Sequence, residues 1–251
     1  MSPVPDHYRG VWVRTLLETP QQRDENTFVR WLQTSSWHAD LRIPLIALGA
    51  DAPLQLASQQ GFCGVTEVTQ QASGEVCTWH RRLDFQPPRR DVDAGVMVFD
   101  APERVIETGV HAPYLEIWER LPDSTGRFIA LAGQDEAAGD AQEHFLVAGR
   151  YAMHVRPRRM AWPADMQAGH TLLDVMANHP GLAHDLLDFE ISFGTLEDGQ
   201  WKIEHSTLPA LNGLCMPFAM RQIEGTRAEV SSPGLRERWQ VLEWTGQEVP
   251  V

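Results

Sequence analysis

Two short stretches set charged side chains among aromatic ones at alternating positions. Arg81 lies two residues from Trp79 and four from Phe85, and Glu116 and Arg120 alternate with Tyr114 and Trp118. Residues two apart on a β-strand share a face, so each stretch presents charge on an otherwise apolar surface. A charge removed from water must be paired or neutralised. One reading is an internal ion pair such as Glu116 with Arg120, which touch only if the two side chains bend together. The other is a pocket in which Trp79, Arg81, Tyr114, Glu116, Trp118 and Arg120 hold a small acidic or aromatic ligand. A planar guanidinium fork suits a carboxylate, and apolar walls supply most of the affinity.

Other chemistries find less footing. Among ten histidines, His170, His179 and His184 fall in one segment with Asp174 and Asp185. His179 and His184 straddle Pro180-Gly181, and no His-x-x-x-His or His-Glu-x-x-His spacing occurs, so no metal ligand and no cofactor is assigned. A haem-binding barrel would need one exposed proximal histidine, and none of His80, His111 and His154 stands out. The chain lacks Gly-x-Ser-x-Gly, Gly-x-x-x-x-Gly-Lys and Gly-x-Gly-x-x-Gly, so no catalytic residue is assigned. Acid–base chemistry by Tyr114 or Tyr151 with Glu116 and an arginine has the same signature as binding; binding is preferred over an enzyme.

The 251 residues carry a formal charge of −13 with 43% hydrophobic and 22% charged side chains. That composition is an ordinary globular one, and the acidic balance argues against nucleic acid or an anionic membrane as partner. Cys63, Cys77 and Cys215 form an odd set without C-x-x-C spacing. A reducing compartment suits them, and the absence of a signal-like N-terminus or a long apolar run adds to an expectation of cytoplasmic location.

The elements that must position these residues read as strands. Tyr8–Glu18 is the first, with Trp12, Arg14 and Leu16 on one face. Thr27–Thr34 and Trp37–Ile43 form a hairpin around Ser35-Ser36. On its second arm Trp37, Ala39, Leu41 and Ile43 look like core, whereas His38, Asp40 and Arg42 do not. Leu54–Gln60 reads as a short helix closed by Gly61 that plugs a barrel mouth. Phe62–Gln70 and Val76–Gln86 follow, the latter with Cys77, Trp79, Arg81, Leu83 and Phe85 on one face. Val96–Phe99 and Arg104–Thr108 make another hairpin. Further strands are expected at Tyr114–Leu121, at Phe128–Ala132, and as one long strand over Glu143–Val155. The segment 134–140 reads as a loop, and 169–178 and 181–187 as helices. Phe189–Thr195 and Gln200–Thr207 flank an Asp198-Gly199 turn, and a last strand spans Leu235–Trp244. Strands at this frequency predict an all-β protein with short helical plugs.

Gly10-Val11-Trp12 resembles the Gly-x-Trp signature of lipocalins and other calycins, in which the tryptophan lies across the closed end of an antiparallel barrel. Trp12-Val13-Arg14 and Trp118-Glu119-Arg120 share a spacing, which implies two consecutive barrels, residues 1–110 and 111–251. In calycins an arginine often packs over that tryptophan; Arg238 would cover Trp118, and Arg104 or Arg14 would cover Trp12. Several stretches in order are similar to the fungal Hrr-kinase-interacting protein family and its bacterial relatives, the bacterial branch fitting better. These are Trp37–Pro44, Gly95 with Glu107-Thr108-Gly109-Val110, Tyr114–Leu121, Gly149-Arg150-Tyr151, Glu190–Gly194 and Arg238–Glu243. The resemblance implies two calycin-type barrels and a homodimer, and no established activity. The expected function is binding of a small apolar, aromatic or acidic ligand in a barrel cavity. The alternatives are an interaction module with filled barrels and a small-molecule enzyme.

Overall fold

The structure, a computed structural model, describes residues 2–47, 49, 52–88, 91–133, 142–167 and 169–246. The expected loop at 134–140 lies outside the described residues. The first sheet comprises β1 (Gly10–Glu18), β2 (Arg23–Asp24), β3 (Phe28–Gln33), β4 (Trp37–Ile43), β5 (Gln60–Gln71), β6 (Gly74–Asp84), β7 (Asp93–Ala101), β8 (Arg104–Gly109) and β9 (Leu115–Arg120). They pair antiparallel in the order β2-β1-β3-β4-β5-β6-β7-β8-β9, and β9 returns to β1 to close a barrel. The second sheet comprises β10 (Phe128–Gly133), β11 (His144–Ala148), β12 (Tyr151–Arg156), β13 (Glu190–Glu197), β14 (Gln200–Ser206), β15 (Cys215–Pro217), β16 (Ala219–Gln222), β17 (Arg227–Ser231) and β18 (Arg238–Thr245). Its order, β15-β14-β13-β12-β11-β10-β18-β17-β16, puts β15 and β16 at opposite ends, yet only Phe218 separates them in the chain. The chain itself spans the gap, so this sheet is barrel-shaped as well.

The Trp-x-Arg pair is thus not the start of two barrels. Trp12 faces Arg120 across one β1–β9 ladder, and Trp118 faces Arg14. The first sheet therefore takes in residues 115–120, beyond the border drawn at 110 from the sequence.

Both barrels have an inner and an outer apolar face, which is why β10 and β11 are buried along their whole length. The outer faces meet. Leu32, Ala39, Leu41 and Cys63 of the first barrel share one core with Ala130, Leu146, Met153, Val155 and Ile191 of the second. The same core takes in two helices, α2 (Leu172–Asn178) and α3 (Ala183–Leu187); α2 is started by a Thr171–Asp174 capping box. The sequence-expected helix at Leu54–Gln60 is shorter, α1 (Pro53–Leu56), and it packs against α3 rather than filling a mouth.

β-Bulges decide which side chains enter each lumen. In β1 the pairing with β9 slips between Arg14 and Leu16, so Trp12 and Arg14 point inward but Leu17, not Leu16, follows them into the cavity. In β6 the pairing with β5 slips so that Gly64 opposes Arg81 while Cys63 opposes Leu83. Cys77, Trp79 and Arg81 face the lumen, and Leu83 and Phe85 join the core between the barrels. The single face of five read from the sequence is split there. The long strand expected over Glu143–Val155 is the hairpin β11–β12, turning at Gly149, whose φ is +59°. Phe145 therefore faces the second lumen while Met153 and Val155 face away from it.

Candidate functional site

The two lumens differ. In the second barrel, Phe145 contacts Trp201, Phe218 and Trp239, with centroids 5.3–6.3 Å apart. These rings and the aliphatic side chains around them fill the interior. In the first barrel only the closed end is filled. Arg120 lies over the Trp12 ring at 4.9 Å and donates to the carbonyl oxygens of Arg9 and Pro102 at 2.9 and 2.7 Å. Trp12 stacks on Trp31, and Trp31 meets Trp79 and Trp118 at 5.5 and 5.6 Å. Above Trp31 the packing stops, leaving a cavity of about 240 Å³.

Five of the six residues singled out from the sequence line this cavity: Trp79, Arg81, Tyr114, Glu116 and Trp118. Arg120 does not, because four residues of strand carry it about 13 Å from Glu116, to the other end of the barrel. For the same reason the Glu116–Arg120 ion pair does not form; Arg120 pairs with Glu103. The arginine stacking expected from the resemblance is also reassigned. Arg120 covers Trp12, and Arg42 approaches Trp118 at 5.9 Å. Arg238 is exposed, and Arg104 pairs with Asp100.

The sequence reading missed the rest of the wall. Asp40 and Arg42 sit on the face of β4 set aside as non-core, and that face is the barrel interior. Trp31, Phe62, Asp93 and Glu107 complete the polar and aromatic lining. The available signal was the alternation of charge opposite an apolar β4 face that is itself buried between the barrels.

Three guanidiniums organise the carboxylates. Arg14, inside the barrel but off the cavity surface, donates to Glu116 and Asp24, each at 2.8 Å. Arg42 holds Asp40 at 2.7 Å and approaches Glu116 at 3.6 Å. Arg81 bridges Asp84 at 2.9 Å and Asp93 at 2.5 Å, its plane 3.5 Å from the Phe62 ring centroid. Burial alone would lower Arg42, but Asp40 and Glu116 outweigh it and raise it well above its ordinary value.

Glu107 stands apart. It accepts hydrogen bonds from the Tyr114 hydroxyl at 2.7 Å and the Trp118 indole N–H at 3.0 Å. Burial, and then the nearby Glu116 carboxylate, hold it well above the usual carboxylate range, with Tyr114 opposing in part. Burial and Glu107 likewise raise Tyr114. Two glycines make room for this pair. A Cβ on Gly95 would lie 2.5 Å from Glu107 Cγ, and one on Gly109 would lie 2.3 Å from the Tyr114 ring. Such a carboxyl can donate a hydrogen bond while protonated, or release its proton and face a cation.

The other residues weighed from the sequence are dispersed. Tyr151 stacks on Phe193 outside the cavity, at 5.7 Å. His179 pairs with Asp165, His184 is exposed, and no cluster of three or more His, Cys, Asp or Glu suited to a metal ion occurs among the described residues. His80 pairs with Glu67, and His154 lies buried between two glutamates in the second lumen.

No family model matches this chain, and no curated protein does. Among solved structures, the uncharacterised protein YLR301w of Saccharomyces cerevisiae has a similar fold. The TM-score is 0.64 at 15% sequence identity, covering 94% of this chain and 99% of the yeast one. At that identity the likeness is one of fold.

Proposed function

We propose that this protein binds a compact, aromatic or apolar small molecule in the lumen of its first barrel. One observation carries the reading: the Phe145, Trp201, Phe218 and Trp239 rings meet inside the second barrel, whereas the ring packing inside the first stops at Trp31. Above that floor, Trp79, Trp118, Tyr114 and Phe62 surround an empty, polar-tipped space. The volume lies below the roughly 300–1,000 Å³ of pockets for drug-sized ligands, so the ligand is small. The same reading places the chain among the bacterial relatives of the fungal Hrr-kinase-interacting proteins, with calycin-type barrels. The similar double-barrel fold of the yeast protein supports it. Two buried free thiols, Cys63 and Cys77, support a reducing, cytoplasmic setting.

A second reading has its own observation. Leu45, Ile46 and Leu54, on two touching short helical segments, are 63–65% exposed and form an apolar patch suited to a partner or a second copy. Native mass spectrometry of freshly purified protein, with an absorption spectrum, tests both. A reproducible adduct lost on denaturation supports the binding reading, and a clean dimer without adduct favours the interaction module. A Soret band would redirect the search to haem.

A further inference from the structure

Resting on the reading of the first barrel as a binding site, we propose that its ligand is a compact cation. A protonated amine on an aromatic or apolar body would set its charge against Glu107, Glu116 and Asp93 and its body among Trp31, Trp79 and Trp118.

The charge balance leads there. Four carboxyl groups, Asp40, Asp93, Glu107 and Glu116, line the cavity against two guanidiniums, Arg42 and Arg81. Each arginine of the site is already shared between two carboxylates: Arg14 by Asp24 and Glu116, Arg42 by Asp40 and Glu116, Arg81 by Asp84 and Asp93. A ligand carboxylate would meet engaged guanidiniums and an excess of like charge. The flat faces are engaged too, since Arg81 lies on Phe62 and Arg42 sits near both Phe62 and Trp118. Glu107, by contrast, receives hydrogen bonds from two neutral donors and, among the described residues, from no cation, with Arg42 acting on it only through space. A cation in this space gains from the carboxyls and from the negative faces of the indoles together. This reverses the acidic class weighed from Arg81 and Arg120, because Arg81 is neutralised from the end of its own strand and from β7, and Arg120 pairs with Glu103 outside the cavity.

Proton release follows. Burial and Glu116 hold Glu107 well above the usual carboxylate range, and a cation beside it favours the ionised form. The titratable and charged groups that face it are Glu116 on β9, Asp93 on β7 and Arg42 on β4. Cys77 on β6 and Tyr8 and Tyr114 at the barrel ends complete the set. Binding therefore expels a proton, and affinity rises with pH until the amine itself loses its charge.

The test is calorimetric titration of the full chain with three probes of one shape: 2-phenylethylamine, 2-phenylethanol and phenylacetate. The amine is expected to bind at least about tenfold tighter than the alcohol, and phenylacetate weakest. Heats in two buffers of different ionisation enthalpy should show proton release. Glu107→Gln should erase the amine's advantage over the alcohol. Asp93→Asn, at the half-exposed mouth, carries the same comparison should the buried substitution fail to fold. Phenylacetate binding as tightly as the amine would overturn the cation class and leave the site standing. No binding of any probe, together with a clean mass spectrum, would overturn the site as well.

Discussion

Replacing His154 by glutamine should remove a pH-dependent share of the second barrel's stability. His154 is 1% exposed, with Nδ1 2.9 Å from Glu190 and Nε2 2.6 Å from Glu143. Arg236 reaches the other oxygen of Glu143 at 2.6 Å, and Ser192 donates to Glu190 at 2.7 Å. Burial alone would lower the imidazole, but Glu190 and Glu143 outweigh it and raise it to about 9. Measured from an ordinary value near 6.5, and at 1.36 kcal/mol per unit, this gives about 3 kcal/mol of stability. Glu190 is pulled down to about 2 by the same contacts, against the opposing effect of burial, so the two shifts describe one interaction and are not added. The signs differ. A base with a raised value contributes fully below pH 6.5 and loses its contribution as pH climbs through 9. An acid with a lowered value contributes above its ordinary pH 4.5 and loses it as pH falls towards 2. Urea unfolding from pH 5 to 10 should show the gap between the wild type and His154→Gln shrinking from about 3 kcal/mol at pH 6 to little at pH 9.5. A gap that is constant across that range, or a His154 ring-proton resonance titrating near 6.5, would refute the reasoning.

Arg120→Ala should destabilise the first barrel by about 2–3 kcal/mol, since it uncovers Trp12 and leaves the Arg9 and Pro102 carbonyls without their donor. It should leave amine affinity unchanged, because Arg120 lies at the far end of the barrel; denaturation and titration of the same variant check both halves. A disulfide reagent should label one thiol rapidly in the native protein, Cys215, which is exposed. Cys63 and Cys77 are fully buried, with burial pushing both thiols up, so they should react only on unfolding; a second fast thiol would contradict the packing.

The fold class was legible because alternation and turn chemistry repeat along the chain. The Ser35-Ser36 hairpin and the Asp198-Gly199 turn appear where their residues place them. What escaped was governed by events with weak local signatures. A bulge near Thr15 and another near Arg82 each shift the alternation by one, which exchanges lumen for outer face beyond them. Gly149 looked like one more member of a long strand, and only its positive φ marks the turn. The candidate site was half legible. Trp79, Arg81, Tyr114, Glu116 and Trp118 were visible as charge among rings, whereas Asp40 and Arg42 were set aside as non-core. In a closed barrel packed on its outside, a polar face can be the interior one, and alternation alone has no means of telling the two apart.

The two lumens treat buried charge differently. In the second, His154 sits between Glu143 and Glu190, each carboxylate also meets an arginine, and aromatic rings fill the remaining space. Such a network is satisfied by its own members and needs nothing more than the fold. In the first, carboxyls outnumber guanidiniums among the described residues of the lining, burial and Glu116 hold Glu107 well above the usual carboxylate range, and a cavity adjoins them. Unbalanced buried charge beside a void is costly, and apolar side chains of similar size would remove both the charge and the void. In the second barrel, aromatic rings surround a charge network that is satisfied from within. A ligand that brings positive charge and an aromatic body satisfies both deficits of the first barrel in one event.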